Sequence, residues 1–427
     1  MKEIIEQAIA TIQANDQGSY TVPTHGLYPF QWNWDSCLTA IGFAHFDVER
    51  AWIEIETLFK HQWEDGMVPH IIFHQQNDGY FPGPDVWNTG RPVPTSGITQ
   101  PPVAGYCLKK VFERTDNQSE YVERLRSLIR KIHAWHQWFY QCRDPKSEGL
   151  VAIIHPWESG RDNSADWDEA LARVPTDGLK PFLRRDTMHA NPEHRPTQEQ
   201  YKRYIWLVQR FETSHWNNAI LHDRSPFQVV DPGFNAMLLQ SISDVGSLAR
   251  DIGDIEIANA CEAMFNKGIE SLETLWNEKL GQYVCFDRVT QMQINNASIG
   301  GLIPVLTQIP RHRKQAIAET LGRFTTRFGI PSQDPASTQF ERYRYWRGPV
   351  WLIINYMIAD GLRDGDHDDL SQLICKASLD LIKTSGFVEY YDPVEGVACG
   401  GQSFSWTAAM VLEFLDRASE PASAEPA

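Results

Sequence analysis

The segment SEYVERLRSLIRKIHAWHQWFYQCR, residues 119–143, sets Tyr121, Leu125, Leu128, Ile132, Trp135 and Phe139 three or four positions apart, with Arg124, Arg126, Arg130 and Lys131 between them. At 3.6 residues per turn this gathers the apolar side chains on one stripe and leaves the cations on the wet side. The spacing predicts an amphipathic helix. Such a helix must bury its stripe against another element, so the question passes to its neighbours.

The same period recurs on both sides. Asp231 followed by Pro232 is an N-cap and first-turn pair, opening a helix through Phe234, Leu238, Ile242 and Val245. Asp254 caps the next, with Ile257, Cys261, Met264, Gly268, Leu272 and Leu275 along its seam. The pattern predicts further helices near residues 2–14, 34–45, 48–64, 101–114, 199–222, 296–306, 311–326, 349–363, 369–384 and 404–417, thirteen in all. Strand signals are few, Gln282 to Phe286 being the best. The expected class is all-α. Twelve paired helices can bury their stripes as two concentric rings, an (α/α)6 barrel, and an α-solenoid would also satisfy the pattern, although no fixed sequence period marks one.

Three stretches refuse helix: 77–102, 155–196 and 327–347. The first carries Pro82, Pro84, Pro92, Pro94, Pro101 and Pro102 with Gly79, Gly83, Gly90 and Gly97. Structureless runs of this length inside a compact fold are usually functional, so 77–102 and 155–196 are expected as loop insertions forming an active-site face. One catalytic domain is expected over 1–418, with SEPASAEPA (419–427) as a disordered tail.

The 427 residues include 15 Trp, 14 Tyr and 20 Phe and carry a formal net charge of −16. The aromatic load excludes a disordered chain, and the charge speaks against nucleic acid or an anionic membrane as partner. It also speaks, at first sight, against an anionic small substrate. The seven cysteines form no CxxC motif and are expected to be small core residues in a reducing compartment. MKEIIEQAIATIQAN (1–15) lacks the apolar core of a signal peptide, and no run of about 18 apolar residues occurs, so a cytoplasmic location is expected. No HExxH, P-loop or nucleophile elbow is present, and neither metal nor cofactor is expected. Asp364, Asp366 and Asp368 alternate as in an EF-hand, but the loop would need Gly at 369 and Glu at 375, where Asp369 and Cys375 stand. A homo-oligomer stays open.

The tryptophans keep polar company: Trp32 and Trp34 in YPFQWNWDS (28–36), Trp87 in DVWNTG, Trp157 and Trp167 in HPWESGRDNSADWD (155–168), Trp346 and Trp351 in YWRGPVW (345–351), Trp406 in GGQSFSWTA (400–408). Rings beside amides and carboxylates suit a sugar, whose C–H faces stack while its hydroxyls bond to polar edges. A sugar site with carboxylates suggests glycoside hydrolysis, which needs one protonated acid and one ionised carboxylate. Glu158, Asp162, Asp166 and Asp168 are candidates in the 155–168 block. Asp162, in a turn-prone segment, could equally be an N-cap. Glu389 in GFVEYYDP (386–393) lies in an aromatic run, where a charge is costly without a role or a partner. His70, His74 and His155 fall in site-like loops and read equally as structural.

Together YPFQWNWDS, DGMVPHI (65–71), HPWESGRDNSADWD, YWRGPVW, GFVEYYDP and FSWTA (404–408) resemble glycoside hydrolase family 63, in particular its short bacterial branch of glucosylglycerate and mannosylglycerate hydrolases. The resemblance implies an (α/α)6 barrel and hydrolysis with inversion. By motif position it implies Asp162 as general acid and Glu389 as general base, with the carboxyls roughly 6.5 to 9.5 Å apart to admit a water. Tyr28, Trp32, Trp34, Asp35, Gln100, Trp346 and Trp351 match the sugar-binding blocks, Asp35 being also a candidate N-cap. Arg195 and Tyr201 in RPTQEQYKRY (195–204), with Tyr345 and Gln402, match the glycerate pocket; the planar fork of Arg suits a carboxylate.

The implied function is release of glucose or mannose and glycerate from the α-glycoside, the glycoside being the one small-molecule partner. Trehalases share the WDS block, but their glycine-rich approach ending in Arg is missing before Trp34, and YWRGPVW stands where they carry Trp-Asp-Tyr-Pro. The eukaryotic processing α-glucosidases of the family are far longer. The alternatives are a sugar epimerase or isomerase on the same barrel, a glycosidase for another small α-glucoside such as trehalose, and a silent carbohydrate-binding protein.

Overall fold

Burial divides the helices of the computed structural model, which describes residues 1–188, 191–363 and 367–419, into two populations. Along the chain the α-helices longer than five residues are α1 (Lys2–Asn15), α2 (Asn33–Phe43), α3 (Val48–Lys60), α4 (Ala104–Glu113), α5 (Gln118–Arg143), α6 (Gln198–Glu212), α7 (Asn218–Arg224), α8 (Pro232–Asp251), α9 (Ile255–Leu272), α10 (Arg311–Phe324), α11 (Leu352–Leu362), α12 (Asp368–Ser385) and α13 (Ser405–Ser419). Every residue of α2 is buried, as is every residue of α11 except Asp360, whereas α1, α9, α10 and α12 bury a single stripe. A helix apolar all round must be enclosed, and one with a single stripe lies outside it.

The enclosed elements form a closed ring. α2 packs on α4, α4 on α8, α8 on a pair of 3-10 turns (Ile299–Gly301 and Ile303–Leu306), those turns on α11, α11 on α13, and α13 back on α2. Between successive inner elements the chain runs through α3, α5, α9, α10 and α12, and α1 completes the outer layer against α13 and α2. Inner and outer elements alternate, giving the (α/α)6 barrel, and ring closure excludes the solenoid.

Two helices expected from periodicity take another form. The 296–306 segment is instead the pair of 3-10 turns, in which Gly300 and Gly301 admit close neighbours. A Cβ on Gly300 would lie 2.2 Å from Arg161 Nη2, and one on Gly301 would lie 2.0 Å from the Tyr283 carbonyl. The 199–222 segment breaks into α6 and α7 where His215 and Trp216 adopt left-handed backbone, with φ of 51° and 56°. The break lets Trp216 Nε1 donate to the Trp87 carbonyl at 2.8 Å and so pin the 77–102 loop. The expected strand becomes Gln282–Tyr283 and Cys285–Asp287, the latter in a three-stranded sheet with Val229–Val230 and Met292–Ile294. Residues 420–427, in the expected tail, and Asp364 and Asp366 lie outside the described residues. All seven cysteines are buried and unpaired. Among the described residues no helix is long and apolar enough to cross a membrane.

The segments leading into the inner elements are bonded to one another. The Trp34 amide donates to Gln100 Oε1 at 3.3 Å, Arg161 reaches Asp231 and Ser298, and the Trp346 amide donates to Asn163 Oδ1 at 3.0 Å. The N-terminal ends of the ring thus share one mouth.

Candidate active site

Glu389 enters this mouth on the hairpin Val388–Tyr391/Ala398–Gln402. The register shifts between Val388 and Tyr390, so that Gly400 and Gly401 stand opposite Glu389. A bulge of this kind re-aims a side chain and frees a backbone amide. Gly400 takes φ of 71°, and a Cβ there would lie 2.3 Å from Glu389 Oε2, so both conformation and space require glycine. The Gly401 amide donates to Oε2 at 2.9 Å, while Tyr28 and Tyr345 hydroxyls donate to Oε1 at 2.9 and 3.0 Å. Burial raises the proton affinity of Glu389, and the Arg195 charge, the Gly401 amide and the two tyrosines pull the other way, leaving it above the ordinary glutamate value.

Asp162 is held differently. Its backbone is fixed on both sides, with Trp167 Nε1 donating to the Arg161 carbonyl at 2.9 Å and Tyr204 donating to the Asp162 carbonyl at 2.9 Å. The buried Arg161 guanidinium ties the turn down between Asp166 and Asp231, each at 2.9 Å. Ser164, not Asp162, caps the following Ala165–Trp167 turn. Burial pushes the Asp162 carboxyl up to about 7; Arg195 opposes that rise and the negative charges of Glu389 and Asp186 add to it. Asp35 is likewise pushed well above its usual range by burial and by Glu389 and Asp162. It sits in the first turn of α2, which Trp32 caps, so the N-cap alternative for Asp35 is discarded.

Arg195 lies across the pocket, buried and gripped from three directions. Nε donates to Asp186 Oδ2 at 3.2 Å, Nη1 donates to the Tyr28 hydroxyl at 3.2 Å, and the guanidinium carbon is 4.1 Å from the Tyr345 ring centre. Burial acts to raise Asp186, but its bonds to Arg184 and Arg195 outweigh that and keep its carboxyl below the ordinary range.

Tyr28, Trp32, Asp162, Arg195 and Tyr201 line one pocket, with His70, Tyr80, Phe81, Trp157 and Asp186. Tyr201 hydrogen-bonds to the Phe81 carbonyl at 3.3 Å and has the Arg184 guanidinium 4.4 Å over its ring. Trp34, Trp346 and Trp351 are buried and packed together: Trp346 and Trp351 stack at 3.8 Å and 4°, and Trp34 meets Trp346 at 6.4 Å. Gln402 points its side chain outward, and its carbonyl accepts from Thr24 at 2.5 Å.

Residues the sequence did not single out complete the site. Asp186 could have been suspected from Arg184-Arg185-Asp186, a charged triplet in a long loop, and the Gly401 amide from the Gly400-Gly401 pair. Tyr80 carried no such signal. His155 is spent on structure, accepting from the Trp157 amide and meeting the Tyr204 carbonyl, each at 3.0 Å. A larger crevice at the C-terminal ends of the inner helices, near Lys109, Asp244 and Asp360, has its charges paired, as in Lys109 with Asp244 and Lys110 with Asp360.

The model of the mannosylglycerate hydrolase MGH1-like glycoside hydrolase domain matches residues 28–407. Mannosylglycerate hydrolase MGH1 of Selaginella moellendorffii is 43% identical over 97% of this chain and 86% of its own. Glucosylglycerate hydrolase of Mycolicibacterium hassiacum is 32% identical over 97% of this chain and 98% of its own. The crystal structure of the family 63 mannosylglycerate hydrolase from Thermus thermophilus, in complex with Tris and D-glycerate, superposes with a TM-score of 0.93 at 43% identity, covering 97% of this chain and all of that one.

Proposed function

Since the chain belongs to the mannosylglycerate hydrolase MGH1-like family of glycoside hydrolases, we propose that it hydrolyses α-mannosylglycerate or α-glucosylglycerate, with inversion, using Asp162 as acid and Glu389 as base. The observation that carries this reading is a pair of buried carboxyls at one mouth that are held by different partners. Asp162 keeps a proton up to about 7, while Glu389 accepts three hydrogen bonds that only its ionised form fully uses. Both carboxyls are raised by burial, and what separates them is the set of donors that Glu389 accepts from.

The chemistry follows from the lone pairs. Oε1 of Glu389 is filled by two phenol donors, whereas Oε2 receives one amide and keeps a lone pair. A water bonded to Oε2 attacks the anomeric carbon and gives its proton to Oε2. The glycosidic C–O bond breaks, and the glycerate oxygen takes the proton of Asp162. The sugar leaves with inverted configuration, Glu389 protonated and Asp162 ionised, and exchange with solvent resets both. Arg195 supplies the charge for the glycerate carboxylate, and the Trp34, Trp346 and Trp32 rings bound the sugar.

Proton NMR of reactions with each glycerate glycoside tests this. The β-anomer of the free sugar and glycerate are expected to appear together before mutarotation. Initial release of the α-anomer, or no glycerate from either glycoside, would overturn the reading.

A further inference from the structure

The proposed substrate anchor and the proposed base touch each other through two phenols. Arg195 Nη1 donates to the Tyr28 hydroxyl at 3.2 Å, and that hydroxyl donates onward to Glu389 Oε1 at 2.9 Å. The Arg195 face covers the Tyr345 ring at 4.1 Å, and the Tyr345 hydroxyl donates to the same oxygen at 3.0 Å. The hydroxyls of Tyr28 and Tyr345 are themselves 3.0 Å apart. Each has one proton to give, and both are directed at Glu389, so Tyr28 can accept from Arg195 without losing its bond to the base. Arg195, Tyr345 and Glu389 are buried and Tyr28 is half-buried beside them, in surroundings where charge acts strongly and chains of hydrogen bonds polarise one another.

We propose that Tyr28 and Tyr345 couple the anion anchor to the base, so that a substrate carboxylate seated on Arg195 accelerates the catalytic step as well as strengthening binding. This rests on the function proposed above and goes beyond it, because an anchor alone lowers KM and leaves kcat unchanged. Without a ligand, the Arg195 charge draws electron density from both phenols and holds the Glu389 carboxylate in its ionised, weakly basic state. A carboxylate on Arg195 offsets that charge, the phenols donate less strongly, and Glu389 accepts a proton from water more readily. The loop geometry favours this use. Asp186 occupies Nε and Tyr28 meets Nη1, which leaves Nη2 and the second hydrogen of Nη1 as the edge on which a ligand can be met.

Other charged or titratable groups face Glu389: Asp35 from α2, Asp162 from the 155–196 loop, Tyr390 on its own strand and Cys399 on the paired strand. None of them touches Arg195 and Glu389 at once through a hydrogen bond, as Tyr28 does.

The experiment compares α-glucosylglycerate and α-mannosylglycerate with the corresponding α-glycosides of glycerol, in which a neutral hydroxymethyl group replaces the carboxylate. The full-length enzyme is used throughout. The glycerol glycosides are expected to lose about tenfold or more in kcat besides a rise in KM. The acid limb of the kcat profile should lie at higher pH for the anionic substrate, since its charge offsets Arg195 and Glu389 then holds a proton to higher pH. In the Tyr28→Phe/Tyr345→Phe double variant the kcat values of the paired substrates should converge while the KM gap persists. Equal kcat values in the unaltered enzyme, or coincident acid limbs, would overturn the coupling while leaving the substrate assignment intact. Absence of sugar release from either glycerate glycoside would defeat the substrate assignment and the coupling with it. The unaltered enzyme decides the matter even if the double variant does not fold.

Discussion

Glu389 and Asp162 differ less in chemistry than in what touches them, and a residue-scale prediction follows from the sign of each contact. As the proposed acid, Asp162 must hold a proton, and burial and neighbouring carboxylates keep it until about pH 7, so activity should fall as pH rises through that value. As the proposed base, Glu389 must be ionised, and its proton affinity is raised, so activity should fall on the acid side before ordinary glutamates protonate. The expected kcat/KM profile is a narrow bell. Asp162→Asn should cost about 10² to 10⁴ in kcat and remove the alkaline limb, and Glu389→Gln should cost a similar factor. Since the Glu389 charge raises Asp162, the residual activity of Glu389→Gln should show its alkaline limb at lower pH. Measured pH profiles check both, and an unmoved alkaline limb in either variant would reject the assignment.

At the scale of elements, helix glycines differ in what a side chain at them would meet. A Cβ on Gly42 of α2 would lie 2.6 Å from the Cβ of Ala409 on α13, whereas one on Gly322 of α10 meets nothing within 4 Å. Gly42→Ala is therefore expected to destabilise by about 1–3 kcal/mol through overpacking, and Gly322→Ala to stabilise by about 0.5–1 kcal/mol by restricting the unfolded chain. Opposite shifts in thermal midpoint are the measurement, and a shared sign would refute the distinction. The same glycines explain where sequence reading succeeded. Periodicity found α5 and α9 because each shows a stripe to a neighbour and a face to water, and it found α8 through its Asp231-Pro232 start. It misread 296–306, where the apolar residues are right for a helix but Gly300 and Gly301 exist to admit Arg161 and Tyr283. The site was legible as blocks, since YPFQWNWDS and GFVEYYDP are each local. Their meeting was not: Tyr28 and Glu389 are 361 positions apart, and no local pattern encodes a hydrogen bond across that distance.

At the scale of the molecule, net charge misleads and closure decides. The excess of 16 negative charges governs solubility and encounter, while one buried Arg195 determines what an anion meets inside the pocket. Closure is where the chain ends matter. α1 packs on α13, and the buried side chain of Asn15, the last residue of α1, donates to the Ser403 carbonyl at 2.7 Å and to Ser405 Oγ at 2.8 Å. The Ser405 amide in turn donates to the Pro23 carbonyl at 2.9 Å. Ser403 lies two residues beyond Gly401, whose amide holds Glu389, so the clasp that closes the ring adjoins the hairpin that carries the proposed base. Asn15→Ala removes the donor to the Ser403 carbonyl and to the buried Ser405 hydroxyl, a loss of about 1–3 kcal/mol. If closure and catalysis are joined in this way, the variant should lower the thermal midpoint and also reduce kcat at temperatures where it is still folded, with KM little changed. A lower midpoint with kcat intact would mean that the clasp serves the barrel alone, and that the hairpin bearing Glu389 keeps its geometry without the chain ends.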